Sequence, residues 1–188
     1  MAANESPGRL VLIVGPSGVG KDTLIAYCRT RLSEDDGVVF PRRTITRPAG
    51  DGSEDHDSVS EAEFREQAAS GAFAFHWSAH GLYYGVPVSI DAHIAGGRTV
   101  VVNVSRSIVD GVRERYEQVD VVSVTADREV VAARLLQRGR ETADEIDRRL
   151  ARGDAIPIEG PDVLELDNSG SIETAGETLL RLLVGRQA

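Results

Sequence analysis

A glycine-rich stretch, Gly15-Pro16-Ser17-Gly18-Val19-Gly20-Lys21, restricts the fold of this chain more than any other feature. It follows a continuous apolar run, Leu10–Val14. It precedes Leu24, Ile25, Cys28 and Leu32, which recur at helical spacing. A run like Leu10–Val14 suits a strand buried on both faces of a parallel sheet. Strand, G-x-x-x-x-G-K loop and helix in that order form the context in which such a loop grips phosphate. The glycines let successive backbone N–H groups converge on one anion, and the helix start adds its partial positive charge. Lys21 supplies a full charge for the β- and γ-phosphates and is counted as catalytic. A chance glycine-rich turn is the plain alternative, and the matching flanks argue against it. Gly15, Pro16, Ser17, Gly18, Val19, Gly20, Lys21, Asp22 and Thr23 are therefore assigned to nucleotide binding, with ATP as the expected donor.

The motif places Ser or Thr after the lysine to ligate Mg²⁺, but here Asp22 stands there and Thr23 follows. A carboxylate oxygen is a hard ligand suited to Mg²⁺. Asp22 is the favoured metal ligand; Thr23, after a small register change, is the alternative. A switch GTPase is disfavoured, because its N-K-x-D element needs a second lysine and Lys21 is the only one.

With 188 residues the chain is expected to form one domain, hiding roughly 70 % of its unfolded surface. A net charge of −9 lacks the basic field that nucleic acid or an anionic membrane requires, so neither is expected as a partner. No apolar run reaches the ~18 residues of a membrane span. Met1–Arg9 is short and polar and leads into a strand, so no secretory leader is expected. The single cysteine, Cys28, permits no internal disulfide, which fits a cytoplasmic location. It lies on the apolar face of the first helix and reads as a small buried hydrophobe.

Further strands are expected at Val38–Phe40, Ala72–Trp77, Leu82–Val86, Thr99–Val104, Val119–Val124 and Val163–Leu166. Helices are expected at Ser107–Tyr116, Asp127–Gln137 and Thr142–Arg152, and around Ile172, Ala175, Leu179 and Leu183. Ser60-Glu61-Ala62-Glu63 is a capping box, with Phe64 starting the apolar side of a short helix. Pro41–Ser58 is polar and reads as an excursion from the core. Alternation of this kind implies an α/β fold, a parallel sheet covered by helices on both faces.

Gly15–Lys21, Thr44-Ile45-Thr46-Arg47, Gly81-Leu82-Tyr83-Tyr84-Gly85 and Arg138-Gly139-Arg140-Glu141 together resemble the guanylate kinase family, in order and spacing over nearly the whole chain. The resemblance implies an inserted acceptor-binding subdomain at about residues 43–87 and an arginine-bearing lid at about 139–154. The guanine-reading positions depart from that family. His76 or Trp77 stands where an acidic residue is expected, His56 replaces a tyrosine, Gly50 replaces an arginine, and Asn103 and Ser105 replace an acidic pair. Guanine donors left without acceptors would cost about 1–3 kcal/mol each.

The substituted set resembles a second family of the same fold, the ribose 1,5-bisphosphate phosphokinases of bacterial phosphonate catabolism. Gly20-Lys21-Asp22, Arg43–Arg47, Glu54-Asp55-His56, Trp77–Gly85, Val102–Arg106 and Arg138–Glu141 carry that likeness. It implies a kinase that phosphorylates ribose 1,5-bisphosphate to 5-phosphoribosyl 1-diphosphate. The attacking phosphate oxygen is already ionised near neutral pH, since a phosphate monoester has a second pKa of about 6. No general base is required, and the task reduces to aligning and neutralising charge.

Arginine suits that task, because its planar fork fits two phosphate oxygens at once. Arg43 and Arg47, with Tyr83 and Tyr84, are expected to hold the acceptor, one of the two tyrosines serving instead as core. His56 and His76 stand at the guanine-reading positions; each is weighed equally as substrate ligand and as structural histidine. Asn103, a polar residue in an apolar strand, needs some partner and is expected on the ribose or its phosphate. Arg134 and Arg138, four apart on one helix, repel by a few tenths of a kcal/mol unless an anion lies between them. By resemblance they and Arg149 approach the transferring group as catalytic residues. Arg42 and Arg148 are read as surface, and Arg140 as part of the lid. The competing readings are a guanylate or other nucleoside monophosphate kinase, a non-catalytic guanylate-kinase-like module and a nucleotide-sensing regulator. Oligomeric state is not legible.

Overall fold

A computed structural model of the chain describes residues 8–48, 55–138 and 158–185. Its main sheet has five parallel strands. They are β1 (Arg9–Val14), β2 (Val38–Val39), β7 (Thr99–Asn103), β8 (Val119–Thr125) and β9 (Val163–Asp167), in the spatial order β2-β7-β1-β8-β9. β1 is central because its run is apolar on both sides. Leu10, Leu12 and Val14 enter one core cluster, and Val11 and Ile13 the other. The strand expected from Leu10–Val14 is thus buried on both faces, as its composition requires.

One face is covered by α1 (Lys21–Arg29) and α6 (Ile172–Val184), whose Leu24, Cys28, Leu179 and Leu183 are fully buried. The other face meets α3 (Ile90–Ala95), α4 (Val109–Arg115) and a second sheet, through Ile90, Val109, Val112, Tyr84 and Val86. The helix expected at Asp127–Gln137 is α5 (Arg128–Arg138). A 3₁₀ turn over Arg106–Ile108 shortens the expected Ser107–Tyr116 helix to α4. The expected Thr142–Arg152 helix lies outside the described residues.

The second sheet is inserted between β2 and β7. Its order is β4-β3-β6-β5, with β3 (Arg43–Ile45), β4 (His56–Ser58), β5 (Phe73–Ala79) and β6 (Leu82–Pro87). The stretch expected as an excursion, Pro41–Ser58, therefore contains β3 and β4, and α3 was not anticipated either. Three-residue strands are too short to show alternation. Ala79 pairs with Leu82, so His80 and Gly81 form the turn between β5 and β6. His80 (φ 53°) and Gly81 (φ 74°) both take the left-handed conformation that a two-residue hairpin matched to strand twist demands. The Ser60 capping box also forms. Ser60 Oγ accepts from the Glu63 N–H at 3.2 Å, and the Glu63 carboxylate accepts from the Ser60 N–H at 2.7 Å, starting α2 (Glu61–Ala69).

At the amino edge of the main sheet one arginine ties four elements together. Arg9 donates to Asp120 of β8 at 2.6 Å, to Thr99 of β7 at 3.3 Å, and to the Leu182 and Leu183 carbonyls of α6 at 2.6 and 2.9 Å. Asp120 is buried. Removing one member of such a pair leaves an uncompensated charge. Asp120→Ala is expected to cost about 3 kcal/mol and lower Tm by roughly 6–12 °C in thermal denaturation. A shift near zero would show that the α6 carbonyls alone hold Arg9.

Candidate active site

All five strands of the main sheet run the same way, so their carboxyl ends share one edge, where α/β proteins place their ligands. The glycine-rich loop leaves β1 there. Asn103 ends β7, α5 follows β8, and Asn168 follows β9.

The loop keeps its shape through backbone positions that only glycine tolerates. Gly15 has φ 149°, and a Cβ on it would lie 2.5 Å from the Val124 carbonyl. Gly20, at φ 99°, caps α1, and a Cβ there would meet Asn168 Nδ2 at 2.5 Å. Lys21 Nζ donates to the Gly15 and Pro16 carbonyls at 2.8 and 2.9 Å, so the ammonium folds back over the loop it serves. Val19 contributes only backbone. Its side chain is fully buried, and its carbonyl accepts from Asn168 Nδ2 at 2.8 Å and Arg134 Nη1 at 3.3 Å. Arg134 is thus brought to the loop. The side chain of Arg138, and the whole of Arg149 and of the segment expected as a lid, lie outside the described residues.

Asn168 was missed by the sequence reading. It is 1 % exposed, and among the described residues its Oδ1 has no hydrogen-bond partner. Asp167-Asn168-Ser169-Gly170 looks like an ordinary turn. The usable signal was position, a polar residue just past the carboxyl end of a core strand.

Asp22, in the first turn of α1, is half-buried and accepts from Asn103 Nδ2 at 2.6 Å. Only its Oδ1 is engaged among the described residues. Thr23 beside it is exposed. Asn103 also turns its main chain to the insert, its carbonyl accepting from Arg43 Nη1 at 2.6 Å. One residue therefore links the phosphate loop to the second sheet. Asp22, Asn103 and Arg43 share the wall of a cavity of about 230 Å³, with Arg29 and Asp55 on its rim.

Arg43 is 6 % exposed, with its guanidinium 5.8 Å from the Trp77 ring centre and 5.4 Å from that of Tyr84. Trp77 and Tyr84 pair across the β5–β6 ladder and stack at 5.2 Å, their planes within 7°. Paired residues of an antiparallel ladder share a face. His76 and Tyr83 fall on the opposite face, with Phe64 of α2 at 6.1 and 5.5 Å from their rings. The sheet separates the neighbouring tyrosines. Tyr84 packs in the core beside Arg43, with its hydroxyl 3.5 Å from Arg47 Nη2, while Tyr83 lines the α2 side. His76 and Tyr83, both expected at the acceptor, therefore lie on the face of this sheet opposite Arg43, Trp77 and Tyr84.

His56 is buried, and its Nε2 lies 3.2 Å from the Arg47 carbonyl, which also accepts from Ser58 Oγ at 2.6 Å. It braces the backbone that carries Arg47. Arg42, read as surface, is exposed and paired with Asp55 and Asp57 at 3.2 and 3.0 Å. Cys28 is sealed under α6, and burial pushes its thiol up to about 12, which removes thiolate chemistry at neutral pH.

Residues 7–156 match the guanylate kinase family model. A protein of Chelativorans sp. (strain BNC1), named ribose 1,5-bisphosphate phosphokinase PhnN, is 47 % identical over 97 % of this chain and 90 % of its own length. Its namesake from Acidiphilium cryptum (strain JF-5) is 51 % identical over 94 % and 93 %. The chain belongs to the ribose 1,5-bisphosphate phosphokinase family, within the guanylate kinase family. A crystal structure of guanylate kinase from Anaplasma phagocytophilum superposes with a TM-score of 0.67 at 18 % identity, over 97 % of this chain and 88 % of that one, which shows the shared fold. The P-loop kinase fold expected from the sequence is therefore present. Membership of a kinase family implies ATP as the phosphoryl donor. No helix among the described residues is long and apolar enough to cross a membrane.

If Asn168 holds the loop through Val19, Asn168→Ala weakens nucleotide binding by about tenfold, the loss of one hydrogen bond. Titration of a fluorescent ATP analogue measures it. Unchanged affinity with a lowered Tm would restrict Asn168 to a packing role.

Proposed function

We propose that this chain transfers the γ-phosphoryl group of ATP to the 1-phosphate of ribose 1,5-bisphosphate, giving 5-phosphoribosyl 1-diphosphate and ADP. The observation that carries this reading is the Arg43–Asn103–Asp22 link, which sets a buried arginine of the insert beside the phosphate loop. The acidic residues that would read guanine are replaced at the matching positions, and the curated relatives bear the name of this activity.

The donor triphosphate lies along the loop amides of Gly15–Gly20, with Lys21 on its outer phosphates. Arg134, fixed on Val19, reaches the transferring group; Arg138 and Arg149 complete the cationic set. Arg43 and Arg47 hold acceptor phosphate with the Tyr84 hydroxyl. An ionised oxygen of the 1-phosphate forms the bond to the γ-phosphorus as the bond to the β–γ bridging oxygen breaks, and ADP carries away the electron pair. No proton has to be removed from the nucleophile, so the transfer needs no general base.

The donor set fits Mg²⁺. The ion usually takes one or two carboxylates and completes its shell with substrate phosphates and water. Asp22 offers a half-buried carboxylate in the first turn of α1 with Oδ2 free of hydrogen bonds among the described residues. When bound there, Mg²⁺ neutralises phosphate charge. Residues 1–188 act as one catalytic domain, with 43–87 on the acceptor side and 139–154 as the lid. The substrates are small cytoplasmic phosphate compounds rather than nucleic acid or membrane.

An ADP-release assay offering ribose 1,5-bisphosphate, GMP and dGMP tests this directly. Turnover is expected with the first alone, and turnover confined to GMP or dGMP would replace this reading with a guanylate kinase. Turnover on none of the three, with ATP still bound, would indicate a regulator, and failure to bind ATP at all would indicate a binding module. Lys21→Ala should cut kcat by orders of magnitude with Tm unchanged. Arg47→Ala should chiefly raise the acceptor KM, and an effect confined to ATP affinity would remove Arg47 from the acceptor site.

A further inference from the structure

Two departures from the usual phosphate-loop pattern lie far apart in sequence. Asp22 stands where a hydroxyl is expected, and the neutral amide of Asn103 ends a strand beside the loop. In the fold they touch. β7 pairs with β1 so that Asn103 lies opposite Ile13, and its Nδ2 donates to Asp22 Oδ1 at 2.6 Å. Phosphate-loop enzymes divide a cation between the hydroxyl after the lysine and an aspartate from a strand. Here the carboxylate is on the helix and the neutral group on the strand.

We propose that the two departures are one exchange. The single carboxylate facing the bound cation has moved from the end of β7 to the start of α1, and Asn103 is the positioning residue that aims it. The inference rests on the reading of Gly15–Asp22 as a site for a metal–nucleotide complex.

Three physical points support the exchange. Two carboxylates in contact, without a cation between them, repel strongly. An acidic residue at 103 is therefore costly beside Asp22 in the empty site, and an amide is not. Second, Asn103 donates through Nδ2, so its side chain orients one carboxylate oxygen and leaves Oδ2 for the cation. Partners of this kind around a metal ligand commonly change affinity by about 10–100-fold when removed. Third, the main chain of Asn103 is held by Arg43 Nη1 at 2.6 Å. The aim of Asp22 thus depends on the acceptor-side arginine, and the two halves of the site share one support.

A double-mutant cycle over D22T, N103D and D22T/N103D tests this on two quantities other than turnover. The first is Tm in chelator. N103D is expected to fall by about 5 °C in the native background and to cost nothing in the D22T background, where the opposing charge is gone. The second is Mn²⁺ affinity of the ADP-bound protein, followed by loss of the free-ion paramagnetic resonance signal. D22T should weaken it at least tenfold, and adding N103D should restore it to within about threefold of native. Equal Tm losses for N103D in both backgrounds, or no recovery of Mn²⁺ affinity in the double variant, would overturn the exchange. Should D22T not fold, D22N/N103D swaps the two side chains and must meet the same criteria. Native protein that takes up no Mn²⁺ with ADP would overturn the metal–nucleotide reading itself; normal uptake with an additive cycle overturns only the exchange.

Discussion

The parallel pairing of β1 with β7 on one side and β8 on the other is the constraint from which the rest follows. Parallel strands deliver their carboxyl ends to the same edge. One register therefore places the glycine-rich loop, Asn103 and the start of α5 within reach of one another. The next pairing, β8 with β9, brings Asn168 under the loop. That register is held by aliphatic packing on both faces of β1 and by Arg9 at the opposite edge. A one-residue slip would send Leu10, Leu12 and Val14 to the wrong core and carry Gly15 away from Val124. Core packing and site geometry are the same fact seen at two ends of the sheet.

An acidic chain must still bring two polyanions together, so the way its cations are held matters. Arg113 and Arg115 are tied to Asp162 and Asp91 and stitch elements together. Their charge is spent locally. Arg134 instead donates to the Val19 carbonyl, and carbonyls orient a guanidinium without cancelling its charge. Lys21 also donates to two loop carbonyls. Such contacts keep the cations in place between turnovers and are readily exchanged for phosphate oxygens, which bind a charged donor more strongly.

The core and the loop were legible in the sequence because each is a local pattern. Leu10–Val14 is uniformly apolar, the loop has fixed spacing, and the Ser60–Glu63 cap spans four residues. What was not legible depended on pairing between distant segments. β3 and β4 are strands only because β6 is there to pair with β3. Tyr83 and Tyr84 are adjacent letters whose faces are decided by the β5–β6 register. His76 followed the same parity, one step from Trp77. Asp22 and Asn103 were each noticed as exceptions, but 81 positions separate them, and nothing local to either names the other. Asn168 resembled a turn residue until β9 was seen to end beneath Val19.

The acceptor side shows how burial can set chemical preference. Arg43 is almost fully desolvated between the Trp77–Tyr84 stack and the Asn103 carbonyl, so its fork has little freedom left to lose on binding. Arg47 and the Tyr84 hydroxyl stand next to each other. Arg43, Arg47 and the Tyr84 hydroxyl can all donate. A guanine edge mixes N–H donors with its O6 and N7 acceptors, and its N–H groups need acceptors that two arginines do not supply. A phosphate presents only acceptors and matches these donors. Arginine forks and a hydroxyl therefore suit a phosphate, whose oxygens all accept, better than a base edge that needs donors and acceptors together.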